Sequence, residues 1–378
     1  MKFFRSLVKY FVNIAFSLFQ KRPKKVFEFN FNNAYVLEKF NNTRVSGEAF
    51  DEGIIDLIPT CLDEDKIHHF QSFKSLVNYS LIDTSNENFQ FNRNFCLDPS
   101  YDVIYQEGIS LSQLPICHQF LKEPKFINGT IAYLSNSNVN NFGHWVQYTL
   151  PLLHFYWKEV GKENIDYYYI GDTDVRKFQI ESLKYLGVNQ NQIINYSCKG
   201  SRILCCIKSN PVQFNYASFN DSISFKFLRN ILTNMGDIND GNSPKKIYVK
   251  RGEVKYRKVI EEEWIIDFLN ANGYVICSMD GLSLKEQASL FYNASEIIAP
   301  HGSALTNIMF CKPNTKLLEL FPFNYPDWFN VSFAAHAQLN YFYLFGKQAN
   351  IPANEPIYND ILIDKEKFIH FYNLKFVK

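Results

Sequence analysis

Residues 296–310 read EIIAPHGSALTNIMF. A short apolar run ends in Pro300-His301-Gly302, and the chain then turns small and helix-forming. Two readings fit this turn. A helix N-terminus presents unpaired N–H groups and a partial positive charge, which suits a phosphate. Gly302 would let an anion approach the backbone closely. The plainer reading is a tight strand-to-helix connection with a polar residue at its tip.

The surrounding segments show where the turn lies. KIYVK (246–250) reads as a strand, and EEEWIIDFLNANG (261–273) as a helix that is acidic in its first turn and closed by Asn272-Gly273. YVICS (274–278) is a strand. Ser283 and Glu286 form a capping box before QASLFYNA. EIIAP is a strand, SALTNIMFC a short helix and TKLLELF (315–321) a strand. This βαβαβαβ pattern with short connections predicts a parallel sheet covered by helices. Ligands of such sheets bind at the carboxyl ends of the strands. Arg251, Pro300-His301-Gly302 and Phe321-Pro322 all fall at or just beyond those ends, which favours the phosphate reading.

Upstream, TIAYLS (130–135) and IDYYYIG (165–171) read as strands. WVQYTLPLLHFYWKEV (145–160) reads as a helix kinked or restarted at Pro151, and VRKFQIESLKYLG (175–187) as an amphipathic helix ended by Gly187. A boundary is expected at NMGDINDGNSPKK (234–246), which lacks apolar periodicity. Residues 26 to about 130 give short β-like runs and no clear order.

Composition narrows the classes. The chain has 378 residues, 46% hydrophobic and 20% charged, enough for two domains and a large core. A net charge of +1 argues against a general nucleic-acid binder. The eight cysteines show neither C-x-x-C nor zinc spacing, and a reducing compartment is the favoured reading. Residues 1–25 carry seven Lys and Arg and no acid around LVKYFVNIAFSLF. That apolar run is short for a bilayer span and no small-residue cleavage site follows. An interfacial helix on an anionic membrane surface is expected; a helix packed on the domain and a signal anchor are the alternatives.

Individual residues carry open readings. Arg251 and Arg257 could fork onto phosphate oxygens or be surface arginines near the acidic helix start. Glu319 lies inside an apolar strand and needs a partner, either a ribose diol or a buried cation. His144, at a turn entering a helix, could act as a general base or hydrogen-bond locally. Asp172-Thr173-Asp174 matches a metal-binding D-x-D, but a turn and N-cap is the better reading. G-x-S-x-G, G-x-G-x-x-G, the Walker loop and H-E-x-x-H are absent.

Three segments together resemble glycosyltransferase family 61: NNFGHWVQYTLPLL (140–153), VKRGEVKYRKVIEEEWIIDFL (249–269) and LSLKEQASLFYNASEIIAPHGSALTNIMFCKPNTKLLELFP (282–322). The resemblance implies an α/β, GT-B-like fold, with two Rossmann-like domains facing a cleft; the basic, apolar N-terminus adds an amphipathic segment. Its expected divisions are 1–25, an acceptor-side domain at 26–235, a nucleotide-sugar domain at 245–345, and a tail at 346–378 packing back on the N-terminal domain. It implies inverting transfer from a nucleotide sugar, usually a UDP-sugar, with no obligatory metal or cofactor. The acceptor would be a glycan or glycolipid, and capsular or surface polysaccharide the product. The basic, apolar N-terminus predicts a place at the cytoplasmic face of a membrane; the resemblance implies a secretory lumen if the source is a eukaryote.

Carried over by position, Arg251 and Arg257 would meet the diphosphate. His301, Gly302 and the amides of Ser303 and Ala304 match the family's helix start. Glu319 matches the acid near the nucleotide, and His144 the N-terminal histidine. This chain departs from many relatives at Tyr148, where they have aspartate, and at Glu261-Glu262, where they have Asn-Glu.

Overall fold

The structure is a computed structural model. It describes residues 73–92, 122–209, 222–348 and 356–377, apart from 93–94 between strands and the single positions 137, 173, 240, 242, 253, 324, 326 and 328. It also describes short strand segments at 26–28, 44–55, 60–61, 95–97 and 103–105. The basic, apolar residues 1–25 lie outside the described residues. The chain divides into two compact units: Met1–Asp51 with Leu76–Ser218, and Glu52–Ser75 with Phe219–Lys378.

In the first unit, four strands run parallel: β1 (Lys125–Tyr133), β2 (Tyr167–Tyr169), β3 (Ile193–Ile194) and β4 (Cys198–Ser209). Their spatial order is β4-β1-β2-β3. The sheet departs from the expected Rossmann-like pattern beyond β4. There Phe73–Thr84 and Gln90–Asn92 both pair antiparallel to β4, and the sheet continues through Phe95–Leu97 and Val103–Tyr105. One face packs Phe91, Tyr133 and Tyr169 into a ring cluster with Ile131, Ile203 and Cys205. Helix α1 (Leu152–Val160) is anchored by Tyr156, whose hydroxyl donates to the Tyr133 carbonyl at 2.6 Å and accepts from the Cys206 amide at 2.7 Å. Pro151, which has no N–H, stands at the start of α1, after a π-helical turn at Trp145–Thr149. The expected restart at Pro151 is therefore present. Helix α2 (Lys177–Tyr185) follows, and Gly187 closes it with φ 76°.

In the second unit, helix α3 (Ser222–Asn234) precedes the sheet. The break therefore falls before α3, earlier than the polar run at 234–246. That run lacks periodicity, but α3 has an apolar face that must be buried with the elements after it. Strand β5 (Lys246–Val249), helix α4 (Glu262–Ala271), strand β6 (Val275–Cys277), helix α5 (Leu284–Asn293) and strand β7 (Glu296–Pro300) follow. Next come the eight-residue 3-10 helix Ser303–Phe310, strand β8 (Lys316–Phe321), helix α6 (Phe329–His336), strand β9 (Asn340–Phe345) and helix α7 (Lys365–Lys375). The capping box of Ser283 and Glu286 starts α5.

All strand pairs in this sheet are parallel, in the order β6-β5-β7-β8-β9, with Thr60–Cys61 beyond β9. Alternate residues point to opposite faces of a strand. Tyr248, Ile298, Leu318, Leu320 and Leu344 pack against Ile265 and Leu269 of α4 and Phe368, Phe371 and Tyr372 of α7. Ile247, Val249, Ile297, Leu317 and Phe321 face the other way and are buried as well. Both faces are therefore covered, as a parallel sheet requires. The tail was expected on the N-terminal domain. It belongs to this unit instead, because α7 supplies aromatic rings to this sheet's core.

Candidate functional site

The order β6-β5-β7 contains a switch point. The chain leaves β5 toward β6 on one side, and β7 enters on the other side of β5. Connections at such a point diverge and open a crevice at the carboxyl ends of the two central strands. Arg251 lies two residues beyond β5, and His301-Gly302 directly follow β7. The structure joins them: Arg251 Nη1 donates to the His301 carbonyl. A Cβ at Gly302 would collide with Arg251 Nη1 and stand 3.2 Å from Cζ. Gly302 has φ 165°, extended backbone that any residue adopts, so conformational freedom is not its reason. The glycine was expected to make room for an anion. In the structure the room is taken by the arginine that would hold one.

The second arginine completes a charged pair. Burial first, and then the nearby Arg257 charge, push the Arg251 guanidinium down to about 10, with Asp360 opposing both. Nε of Arg251 and Nε of Arg257 are buried without a hydrogen-bond partner among the described residues. No ion pair holds either arginine among those residues. Arg257 has φ 59° and Glu261 has φ 55°, a left-handed backbone that costs a side-chain-bearing residue on the order of 1–2 kcal/mol. The loop is held in this shape from the tail: Val259–Ile260 pairs parallel with Ile361–Leu362, and the Lys258 amide donates to Asp360 Oδ1 at 2.8 Å. The Arg257 charge disfavours the partly buried Arg251 cation, and an anion beside it would offset that cost.

The amides of Ser303 and Ala304 lie just past Gly302, ahead of the first intrahelical bond, which runs from the Leu305 amide to the Gly302 carbonyl at 3.0 Å. This places them at the positive end of the 3-10 helix, as the sequence suggested.

His301 and Glu319 take a different place from the expected one. The His301 ring is only 3% exposed. Its Nδ1 donates to Glu319 Oε1 at 2.6 Å, and its Nε2 stands 3.3 Å from Asp327 Oδ2. The ring stacks on Phe321 with centroids 5.0 Å apart. Burial alone would lower the imidazole pKa, but the hydrogen bonds and charges of Asp327 and Glu319 outweigh it and the net direction is up. Asp327 moves down: His301 and the Phe329 amide outweigh its burial. The two acidic side chains therefore favour the charged form of the ring. Glu319 has no exposed surface; Oε1 also accepts from Asn330 Nδ2 at 2.8 Å, and Oε2 accepts from the Tyr341 hydroxyl at 2.7 Å. Of the two partners open to Glu319, the structure supplies the buried cation. His301 reaches the crevice through its carbonyl, which fixes Arg251.

His144 sits in the first unit. The Asn141 side chain caps its amide at 3.3 Å, and its ring lies 5.2 Å from the Tyr148 ring, centroid to centroid. Trp145, next in sequence, is fully buried and donates to Ser182 Oγ at 2.9 Å, which fixes the turn. Asp172 accepts from Lys122 Nζ at 2.7 Å and from Ser197 Oγ at 2.9 Å. The expected cap on the following helix is a correction: α2 begins at Lys177, too far along for Asp172 to reach its first amides. No group of three or more metal-ligating side chains occurs among the described residues.

The family model described as Glycosyltransferase 61 matches residues 142–318. This match supports membership of glycosyltransferase family 61. No curated protein sequence matches the chain closely enough to count as a relative. Membership of family 61 implies glycosyltransferase activity, with a sugar donor and a glycan acceptor as substrates. The span matching family 61 includes His144, Arg251, Arg257 and His301 to Ala304. Glu319 lies one residue beyond it.

Asp327, Tyr341 and Asp360 lie outside the family 61 span, and the sequence reading missed all three. Asp327 sits in the aromatic stretch NYPDWF, whose only signal is an acid among rings. Asp360 had no signal, since its link to Arg251 arises from the tail's return to the sheet. The Gly302 geometry gives a direct test. Gly302→Ala is expected to displace the Arg251 guanidinium, because a flexible side-chain end is the part that yields. The expected result is kcat/KM lower by on the order of ten- to a hundredfold with little change in melting temperature. Kinetics and thermal unfolding on one preparation check it; wild-type kinetics would show that Arg251 does not need its present seat.

Proposed function

We propose that this chain is an inverting glycosyltransferase that moves a sugar from a nucleotide donor, most simply a UDP-sugar, to a hydroxyl of a glycan or glycolipid during surface-polysaccharide synthesis. The observation that carries the proposal is the Arg251–Arg257 pair: two cations at a switch-point crevice, with orphaned Nε atoms and no ion-pair partner among the described residues. The acceptor hydroxyl attacks the anomeric carbon opposite the departing UDP. The diphosphate gains charge as it leaves, and Arg251, Arg257 and the amides after Gly302 stabilise it from fixed positions. His144 takes the acceptor proton. The reaction uses no metal, since the arginines supply the charge a divalent cation would otherwise bring.

The test is a thermal-shift and hydrolysis screen of the purified protein against nucleotides and nucleotide sugars, with and without EDTA. Stabilisation by UDP that survives EDTA, with slow UDP release from one sugar nucleotide, is expected. Absence of any response to nucleotides would overturn the phosphate seat. A non-catalytic nucleotide-sugar- or glycan-binding subunit of a membrane-associated assembly is the second reading, favoured by Tyr148, which stands beside His144 where the family resemblance leads one to expect aspartate. It requires UDP stabilisation with no transfer to any acceptor.

The proposal places the enzyme at the cytoplasmic face of a membrane through residues 1–25, on the strength of their basic and apolar sequence. No helix among the described residues is long and apolar enough to cross a membrane. Deleting residues 1–25 is expected to release the protein from vesicles containing anionic lipid, measured by flotation, and to spare hydrolysis of the donor. Undiminished flotation would remove this segment from the account.

A further inference from the structure

A second cationic site lies at the opposite edge of the C-terminal sheet. A cavity of about 330 Å³ is lined by Phe225, Lys226 and Arg229 of α3, by Pro313, and by His336 and Gln338 at the end of α6. Pro313 precedes β8 and Gln338 precedes β9, so the cavity opens at the amino ends of the strands. Arg251 and Gly302 stand at the carboxyl ends. The two sites are therefore separate, and the donor-phosphate reading does not account for this one.

The lining carries three basic side chains and no carboxylate. Lys226 and Arg229 are three residues apart on a helix and so share a face. Arg229 is half-buried; its Nη1 donates to the Cys311 carbonyl at 3.1 Å, and its guanidinium lies 5.8 Å from the Phe225 ring. Burial lowers its pKa, and the groups that oppose this are the Cys311 thiol and the Tyr292 phenol. Burial pushes that thiol up, so it is neutral at physiological pH. A half-buried guanidinium normally has an anion beside it. Here a backbone carbonyl and a ring face take part of that role, and the remaining donors are left for something from outside. Phe225, 4% exposed, and Pro313 give the cavity an apolar wall. The carbonyl end of α6 opposes an anion here, but a helix end contributes less than a charge-assisted hydrogen bond.

We propose that this cavity binds a phosphate group, held by Arg229 and Lys226 against Phe225, at a site independent of the donor nucleotide. The phosphate chemistry is shared by a soluble phosphate ester and by an anionic lipid headgroup, and the experiment separates the two.

The full-length protein is titrated with glycerol 1-phosphate by calorimetry, and its binding to vesicles of phosphatidylglycerol is compared with phosphatidylcholine by sedimentation. Wild type, Lys226→Glu, Arg229→Gln and Arg251→Ala are run side by side. Lys226 is exposed, so reversing its charge tests the site even if Arg229→Gln disturbs packing around Cys311. The expected result is that Lys226→Glu and Arg229→Gln weaken binding at least about tenfold while Arg251→Ala leaves it unchanged. Weakening confined to the ester identifies a soluble phosphate; weakening confined to phosphatidylglycerol vesicles identifies a headgroup. Binding that is absent from both arms, or equal in wild type and Lys226→Glu, overturns the proposal.

Discussion

Arg251→Ala is expected to lower kcat/KM for the sugar nucleotide by at least about 2 kcal/mol, or tens-fold, while the unliganded protein melts no lower than wild type. The two effects have opposite signs for one reason. Without ligand, Arg251 is a cation held out of water beside another cation, and its depressed pKa, about 10, shows that its charge is disfavoured there. Removing it relieves that repulsion and costs one hydrogen bond to the His301 carbonyl. With a diphosphate bound, the same charge becomes the main counter-charge, and its loss falls on the leaving group. Stabilisation by UDP should therefore shrink in the variant even as the unliganded melting temperature holds or rises. Kinetics and melting curves with and without UDP measure both. A folded Arg251→Ala protein with full activity would end the assignment of this residue.

The second large effect is on stability. Glu319→Ala removes one wall of a buried ion pair and leaves the His301 imidazolium, the Tyr341 hydroxyl and Asn330 Nδ2 each short of a partner. Breaking a buried pair from one side costs about 3–5 kcal/mol. Thermal and denaturant unfolding should show a loss of that order, and a change under about 1 kcal/mol would mean that the cluster is not acting as a pair.

Its pH dependence has a definite sign. His301 is raised from its ordinary 6.5, so its stabilising contribution is whole below pH 6.5 and is lost as pH rises through the raised value. Asp327 is lowered from 3.8, so its contribution is whole above pH 3.8 and is lost as pH falls through the lowered value. Both are complete between about pH 4 and 6.5. The stability gap between wild type and His301→Gln should be widest in that window and narrow toward pH 9. A gap that widens with pH would show that the ring is neutral when folded.

Much of the C-terminal half was legible because its order is local. Strands β5 to β8 are short apolar runs, α4 ends at its own Asn272-Gly273 stop, α5 starts at its own capping box, and connections of a few residues leave a parallel sheet as the solution. The carboxyl-end rule then placed Arg251, Pro300-His301-Gly302 and Phe321-Pro322 at one edge of the sheet. The first half was less legible: the strands at 73–84 and 90–92 pair with β4 across long separations, and no local period marks an antiparallel strand joining a parallel sheet.

The sequence by itself determined the βα order of the C-terminal unit, the strand ends that could hold a phosphate and the likeness to family 61. Only the tertiary structure decided what each side chain does there. It turned His301 inward between Glu319 and Asp327, gave the space at Gly302 to a guanidinium, and brought Asp360 on the tail within electrostatic reach of Arg251. Backbone order follows from short-range propensity and periodicity. The partner of a buried charge depends on which distant segment packs beside it, and in this chain those partners come from β8, β9, the segment before α6 and the tail.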